Sequence, residues 1–257
     1  MLLNLVYGLA FVGSTITVIL AAWLLARRLA GEPEPRTAEL ASSVVFRIAA
    51  LHGLILALVF AQEGAEYQRL KTESYREASA IADIYNDARR YSPQAAEAIR
   101  PELDDYVRTI VDLEWTRTGL AATLSATAWA HWESTYELVL DLDPQTPRQA
   151  SLREHMLDRI HLIAETRDLR LSHRNNAVLS VFWFAALSGV VLVAMVYYPF
   201  PPRRQNVVLL CLFGTYSGII LFLIYALSNP FGAPGAIPPP AFSALQDVGI
   251  GAPSPPE

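Results

Sequence analysis

Ionisable side chains recur by threes and fours along one stretch of the sequence, where they continue an apolar run. A helix turns about 100° per residue, so residues spaced in this way lie on one face. If several copies of the chain surrounded an axis, the apolar side chains of this face would form rings that gate by dewetting. The carboxylates would form acidic rings that concentrate cations. The pore-lining candidates are His52, Ile55, Val59, Glu63 and Glu66, and the candidates for an acidic vestibule are Glu73 and Glu77.

Each of these residues also has a purely structural interpretation. The glutamates can form a solvated face that is partly paired with nearby basic residues, and Ile55 and Val59 can simply pack. His52 can be a proton-sensitive pore residue, or a neutral histidine that bonds a neighbouring helix. For any one residue the structural interpretation is favoured. The pore hypothesis therefore depends on the face that the residues share.

One long helix must position this face. Residues 44–90 contain no proline, and they pass from an apolar half to a charged, amphipathic half. The first half can span a bilayer, and the second half must then stand in water. A second face of the same helix carries small residues at every fourth position, where another backbone can approach closely. These helix-packing candidates are Ala49, Gly53, Ala57 and Ala61.

The composition is that of a membrane protein with a soluble insert. Of the 257 residues, 53% are hydrophobic and 18% are charged, and the charges are concentrated in one region. The net charge is −5, and the sequence has no basic stripe with interleaved aromatic residues. Nucleic acid is therefore not indicated as a partner. The single cysteine, Cys211, excludes an intrachain disulfide.

The sequence does not predict an enzyme or a cofactor site. It has no glycine-rich phosphate loop, no CxxC pair and no GxSxG elbow, and no set of nucleophile, base and oxyanion donor can be assembled. Four residues spaced by threes and fours could bind a divalent metal, but a solvated helix face is favoured, so no metal site is predicted. These residues are Glu154, Asp158, His161 and Glu165.

Four apolar runs predict four membrane spans. Residues 1–61 hold the first two spans and a short basic loop, and residues 177–228 hold the third and fourth. Gly214 and Gly218 give the fourth span a GxxxG face for helix packing. Residues 62–176 form a soluble helical domain, in which Ser92-Pro93 and Thr146-Pro147 mark helix starts. Residues 229–257 form a tail rich in Pro, Gly and Ala.

The basic residues of the short loops predict the orientation in the membrane. Arg27 and Arg28 follow the first span, and Arg203 and Arg204 separate the third span from the fourth. By the positive-inside rule these loops are cytoplasmic, which places the soluble domain outside the cytoplasm. The arginines of the soluble domain itself argue for the opposite orientation, but long loops cross largely regardless of charge. The predicted location is a bacterial inner membrane, crossed several times.

Several short motifs, in this order and spacing, resemble one family. They are Arg27-Arg28, the segment 67–80 with Arg76-Glu77-Ala78, the set Asp112, Glu114 and Trp115, and Asn229-Pro230-Phe231. The chain thereby resembles the bestrophin-like family of bacterial membrane proteins. The resemblance implies a distant similarity to bestrophins, which are oligomeric ion channels with four spans per subunit and a pore lined by the second span. It also implies a cytoplasmic soluble domain, in conflict with the loop charges.

We therefore predict an all-α membrane protein with four transmembrane helices, a long continuous second helix and an inserted helical-bundle domain. In the lipid bilayer it works as a homo-oligomer that conducts inorganic ions, with a preference for cations. The alternative is a sensory or scaffolding protein whose soluble domain binds a ligand or a partner protein. The two hypotheses differ in whether Glu63 and its neighbours face a pore or the soluble bundle holds a pocket.

Overall fold

The chain is helical throughout the part that the structure describes. This computed structural model describes residues 2–34, 36–114, 126–174, 178–228, 230, 234–235, 241–242, 245 and 250. Those ranges hold seven α-helices and one π-helical turn, and they hold no β-strand. The prediction of an all-α fold is confirmed.

The described residues form the following helices in chain order. They are α1 (Leu2–Ala30), α2 (Thr37–Tyr91), α3 (Pro93–Thr109), α4 (Ala126–Leu140), α5 (Pro147–Arg174), α6 (Val178–Val196) and α7 (Arg204–Ser228). The π-helical turn Ile110–Glu114 directly follows α3.

Helix α2 has 55 residues, and it contains the whole stretch 44–90 that the sequence predicted as one helix. It ends where the backbone of Ser92 turns to an extended conformation, with φ −165° and ψ 156°. The Ser92 hydroxyl accepts a hydrogen bond from the Ala95 amide at 3.1 Å, and Pro93 is the first residue of α3. This cap satisfies an amide that the first turn of a helix leaves without a partner, so the predicted helix start is confirmed.

Three helices are long and apolar enough to cross a membrane. They are Asn4–Ala30, Thr37–Tyr91 and Arg204–Ser228, and a shorter apolar helix covers Val181–Val196. Large apolar side chains on their outer surfaces are exposed, among them Phe46 at 75%. Such an apolar exterior is suited to lipid and not to water. The chain is therefore a membrane protein.

The chain divides into two compact units, and the first comprises residues 1–67 and 177–236. Its core is apolar and includes Ile19 and Trp23 of α1 and Leu210 of α7. The Trp23 indole donates a hydrogen bond to the Tyr197 carbonyl at 3.0 Å, which ties α1 to the end of α6. Close packing, supplemented by a few backbone-directed bonds, holds this unit together.

The second unit comprises residues 68–176 and 237–257. Its helices are amphipathic, and α3 buries Ile99 and Tyr106 on one face. The described tail residues that belong to this unit, including Phe242 and Leu245, are buried as well. Apolar burial in water is the main force that stabilises such a bundle.

Candidate functional site

The face of α2 that was predicted from spacing is turned toward the interior of the chain. His52, Val59 and Glu63 are buried at 3%, 3% and 9% exposure, whereas Ile55 and Glu66 are half-buried. The residues do share one side of the helix, as a 100° rotation per residue requires. Their role in lining a pore stays a prediction, because several subunits together define the wall of an axial pore.

His52 lies in the closest contact of this face. A Cβ atom added to Gly189 of α6 would overlap the His52 Nδ1 atom, so only glycine leaves room for the imidazole there. The ring also faces Phe213 of α7, with 6.4 Å between ring centroids. Within the described residues neither ring nitrogen has a hydrogen-bond partner. A buried polar group without a partner is a candidate for a functional role.

Glu63 lies just beyond the apolar section of α2. Burial raises the pKa of its carboxyl above the ordinary glutamate value, and the nearby charge of Glu66 raises that pKa further. Both effects favour the protonated, neutral form of Glu63. The Glu63 carboxyl therefore keeps its proton to a higher pH than an isolated glutamate does.

The two vestibule candidates have different environments. Glu73 forms an ion pair with Arg76 at 3.3 Å, in which the arginine side chain is 62% exposed. Glu77 is fully buried, and it accepts a hydrogen bond from the Tyr106 hydroxyl at 2.7 Å. Glu73 thus takes part in a surface pair, whereas Glu77 links α2 to α3.

The small-residue ladder on α2 has open space beside it. Gly53 has no heavy atom within 4 Å of an added Cβ, and Ala57 and Ala61 are exposed. Ala49 is half-buried. The surface that they form is open to contact by another helix.

The two glycines of α7 lie against α1. An added Cβ would approach Ile16 Cγ1 to 3.0 Å from Gly214 and Val12 Cα to 2.8 Å from Gly218. Only a residue without a side chain allows this approach of the two backbones.

Only some residues of the family motifs are among those that the structure describes. Asp112 and Glu114 lie in the π-helical turn after α3, and Asp112 is exposed. Pro230 is half-buried, whereas Trp115 and Phe231 lie outside the described residues. A π-helical turn interrupts regular hydrogen bonding, and such turns are frequent at functional sites.

Sequence reasoning missed a polar pair around a buried carboxylate in the second unit. Asp87 of α2 is 5% exposed, and its carboxylate is bonded to the Nδ1 atom of His155 on α5. The Arg159 guanidinium donates to the other ring nitrogen of that histidine at 3.1 Å, so Nδ1 carries the proton that bonds Asp87. The alternation of charges with apolar residues on α5 was the available signal, and it did not identify the partner.

No group of three or more His, Cys, Asp or Glu side chains suited to a metal ion occurs among the described residues. His161, one of the four spaced residues on α5, instead meets the Tyr136 ring edge-on, with 5.5 Å between centroids.

Comparison with known proteins gives a match to a family model. A family model described as a Bestrophin-like domain matches residues 12–242. No curated protein and no solved structure matches the chain. The matched range covers all the helices from α2 to α7 and most of α1.

Proposed function

The chain belongs to the bestrophin-like family, and from this membership we propose that it conducts ions across a membrane as a homo-oligomer. Cations are the preferred ions, and the path follows α2. The proposal includes no catalytic activity and no cofactor. It rests on the family, on the apolar exterior of the membrane helices and on the ionisable residues that α2 carries.

Four membrane spans belong to this proposal: α1, the apolar part of α2, α6 and α7. Residues 62–176 then form the inserted helical domain. The arginines of the two short loops favour a cytoplasmic position for those loops and an extracytoplasmic one for the inserted domain. A reporter that is active on only one side of the membrane, fused after residue 257, tests this topology, since the tail and the inserted domain share a side.

The observation that carries the proposal is the pair of buried ionisable residues on one face of α2. His52 lies within the apolar section and Glu63 directly beyond it, at 3% and 9% exposure. Burying an ionisable group has an energetic penalty, so such residues in a membrane protein commonly serve ions or protons. For Glu63 to meet a hydrated ion, the helices that bury it must move. In this proposal the conformation is closed, and the channel opens by a displacement of α2.

Reversal potentials in a planar bilayer under a salt gradient test the proposal directly. We expect a cation-selective current from the wild type and a loss of selectivity in the double variant Glu63→Gln, Glu66→Gln. Glu73→Gln is the matched control, because Glu73 lies on the same face of α2 but is paired with an exposed arginine. Silence from folded oligomers over a range of pH would contradict the proposal, and so would equal selectivity in the wild type and the double variant.

The small-residue ladder of α2 is the proposed contact between subunits. Gly53→Leu adds a side chain where the chain itself has no atom within 4 Å of the added Cβ, so the subunit is expected to fold normally. A neighbouring helix at this face would be pushed away. We expect the variant to have a smaller mass by light scattering in detergent. An unchanged mass would place the subunit contact elsewhere.

A sensory or scaffolding role is the second proposal, and one observation in the second unit favours it. A groove of about 360 Å³ is lined by Tyr85, Arg89, Glu97 and Arg100. The Tyr85 ring lies 5.7 Å from the Arg89 guanidinium carbon and 5.9 Å from that of Arg100. Two guanidinium groups beside an aromatic ring can bind an acidic ligand or a partner protein. Ligand binding that is lost in Arg89→Ala, together with silence in the bilayer, would support this role over conduction.

A further inference from the structure

The His52 side chain lies in a closely packed position between three helices of the unit formed by residues 1–67 and 177–236. It is 3% exposed and belongs to the apolar section of α2. A Cβ atom added to Gly189 of α6 would overlap the imidazole, and the ring of Phe213 on α7 lies 6.4 Å from it between centroids. The imidazole thus fits beside α6 only because residue 189 has no side chain.

This position offers the imidazole no polar partner among the residues that the structure describes. Neither ring nitrogen has a hydrogen bond there. The buried residues of the same core are apolar, among them Leu56 and Val59 of α2 and Val190 of α6. A neutral imidazole gives up its hydrogen bonds to water in such a place, whereas an imidazolium also gives up the solvation of a full charge. The position therefore accepts the neutral ring far more readily than the charged one.

No charged group of the packed helices balances a protonated His52. Helix α6 contains no titratable side chain, and on the side of α7 that carries Phe213 the titratable side chain is Tyr216, which is 66% exposed. On α2 itself, Arg47 is exposed and lies on another face. The carboxyls on the same face are Glu63 and Glu66, and the nearer of them is eleven residues, or about 16 Å, further along the helix. A charge on His52 would therefore be buried without a counter-charge.

We propose that protonation of His52 releases α2 from α6, so that acid opens the path along α2. A charged imidazole is stable where water reaches it, and a displacement of α2 away from Gly189 provides that contact. Histidine side chains in water take up a proton near pH 6.5, so the release responds to mild acid. The inference rests on the proposed function, which supplies a hydrated path beside α2, and it adds the signal that opens this path.

The proton acts here as a ligand of the displaced conformation. A ligand that binds one of two conformations shifts the population toward that conformation. For an imidazole that is charged only when α2 is displaced, the ratio of displaced to docked chains should rise by up to about thirtyfold between about pH 7.5 and about pH 5.

The distance between α2 and α6 measures this ratio. Spin labels are attached at Leu51→Cys and Leu187→Cys in a Cys211→Ser background, at positions that are 62% and 51% exposed. Pulsed electron paramagnetic resonance is recorded on the full-length protein in liposomes, diluted with unlabelled protein so that distances within one chain are observed. We expect one distance at about pH 7.5 and a second, longer distance at about pH 5.

Three variants separate the charge of His52 from its packing. His52→Phe and His52→Gln remove the titratable ring with a larger and a smaller neutral side chain, and both should keep the shorter distance at either pH. Gly189→Ala puts a methyl group where the imidazole lies, so the longer distance should already be present at about pH 7.5. Gly13→Ala is its control, because no heavy atom lies within 4 Å of the added Cβ, and it should behave as the wild type does.

The matched control for acid itself is His155→Gln, because His155 is bonded to Asp87 in the other unit. This variant should keep the response of the wild type. A response that is lost in His155→Gln, or that persists in His52→Phe and His52→Gln, would overturn the proposal, and so would an unchanged distance in the wild type.

Bilayer currents at the same two pH values separate this proposal from ion conduction. A displacement in acid without any current would support the release of α2 and contradict conduction. A current in acid without a displacement would support conduction and contradict the release.

Discussion

The two units of the molecule differ in the surroundings of particular buried ionisable groups. In the unit of residues 68–176 and 237–257, buried carboxylates have partners: Glu77 accepts from Tyr106 at 2.7 Å, and Asp87 bonds His155. In the unit of residues 1–67 and 177–236, His52 and Glu63 are buried, and neither ring nitrogen of His52 has a hydrogen bond to any residue that the structure describes. Satisfied polar groups fix helix register, whereas unsatisfied ones are retained for function.

The difference follows from the surroundings of each unit. Around amphipathic helices in water, apolar burial drives packing, and a polar pair selects one register out of many. Around helices in lipid, the exterior is as apolar as the core, so apolar burial gives little direction to packing. Close approach of backbones at small residues then decides which faces meet. Substitutions in the two units should therefore fail for different reasons.

The largest effect is expected from a bulky residue in the α1–α7 contact. In Gly218→Leu the new Cβ would lie 2.8 Å from the Val12 Cα atom, which is backbone and cannot rotate away. Overpacking of this kind costs about 1–3 kcal/mol, and more where backbone must shift. Thermal unfolding in detergent should show the loss. Gly13→Leu on α1 is the control, since no heavy atom lies within 4 Å of its Cβ. Equal losses in the two variants would show that close packing does not hold this unit.

A smaller effect is expected from the hydrogen-bonded pair of Tyr106 and Glu77 in the unit of residues 68–176 and 237–257. Tyr106→Phe removes the hydroxyl that donates to the fully buried Glu77 carboxylate. Hydrogen bonds to charged groups contribute about 1.5–3 kcal/mol, and we expect destabilisation in that range. Tyr75→Phe, at a site on α2 that is 47% exposed, should change the free energy of unfolding by less than about 0.5 kcal/mol. Equal changes in the free energy of unfolding in the two variants would show that the hydrogen bond from Tyr106 to Glu77 does not stabilise this unit.

Local chemistry explains what the sequence predicted correctly. The start of α3 at Ser92-Pro93 depends on a capping hydroxyl and a fixed proline φ, both of which act within one turn. The continuity of α2 likewise depends on the absence of proline over 44–90. Such features depend only on neighbouring residues, so they can be predicted without knowledge of the tertiary fold.

The environments of the individual glutamates could not be predicted in this way. Glu63, Glu73 and Glu77 share one face, yet Glu63 is buried just beyond the apolar section, Glu73 is in a surface pair, and Glu77 is bonded to Tyr106, which is 29 residues away in sequence. The spacing of residues in the sequence predicts which face of a helix they lie on. The role of each residue depends on its partner from another helix. The contact of His52 with Gly189 is of the same kind, and its only signal was a glycine in an apolar run.

The buried Glu63 should make stability depend on pH. Its folded-state pKa is raised, first by burial and then by the charge of Glu66, so the folded state holds its proton more tightly than the unfolded state. The resulting stabilisation is complete below the ordinary glutamate pKa and is lost as pH rises through the raised pKa. Melting temperatures of the wild type should therefore fall over this window, and those of Glu63→Gln should fall less. Glu39→Gln, at an exposed position, should keep the wild-type profile. An unchanged profile in Glu63→Gln would indicate that the carboxyl is solvated, and the contrast between the units would be weaker.

The smallest effect is expected at Glu73. It distinguishes the roles of Glu63, Glu73 and Glu77, which share one face of α2. Its pair with Arg76 is 3.3 Å long, but the arginine side chain is 62% exposed. Water and salt screen such pairs, which typically contribute about 0–1 kcal/mol. Glu73→Gln should therefore change the free energy of unfolding by less than about 0.5 kcal/mol, as measured by chemical denaturation. A large loss in this variant, comparable to that of Tyr106→Phe, would mean that Glu73 is bound by more than its arginine. The division of these three glutamates into one buried, one surface and one bonded carboxylate would then no longer hold.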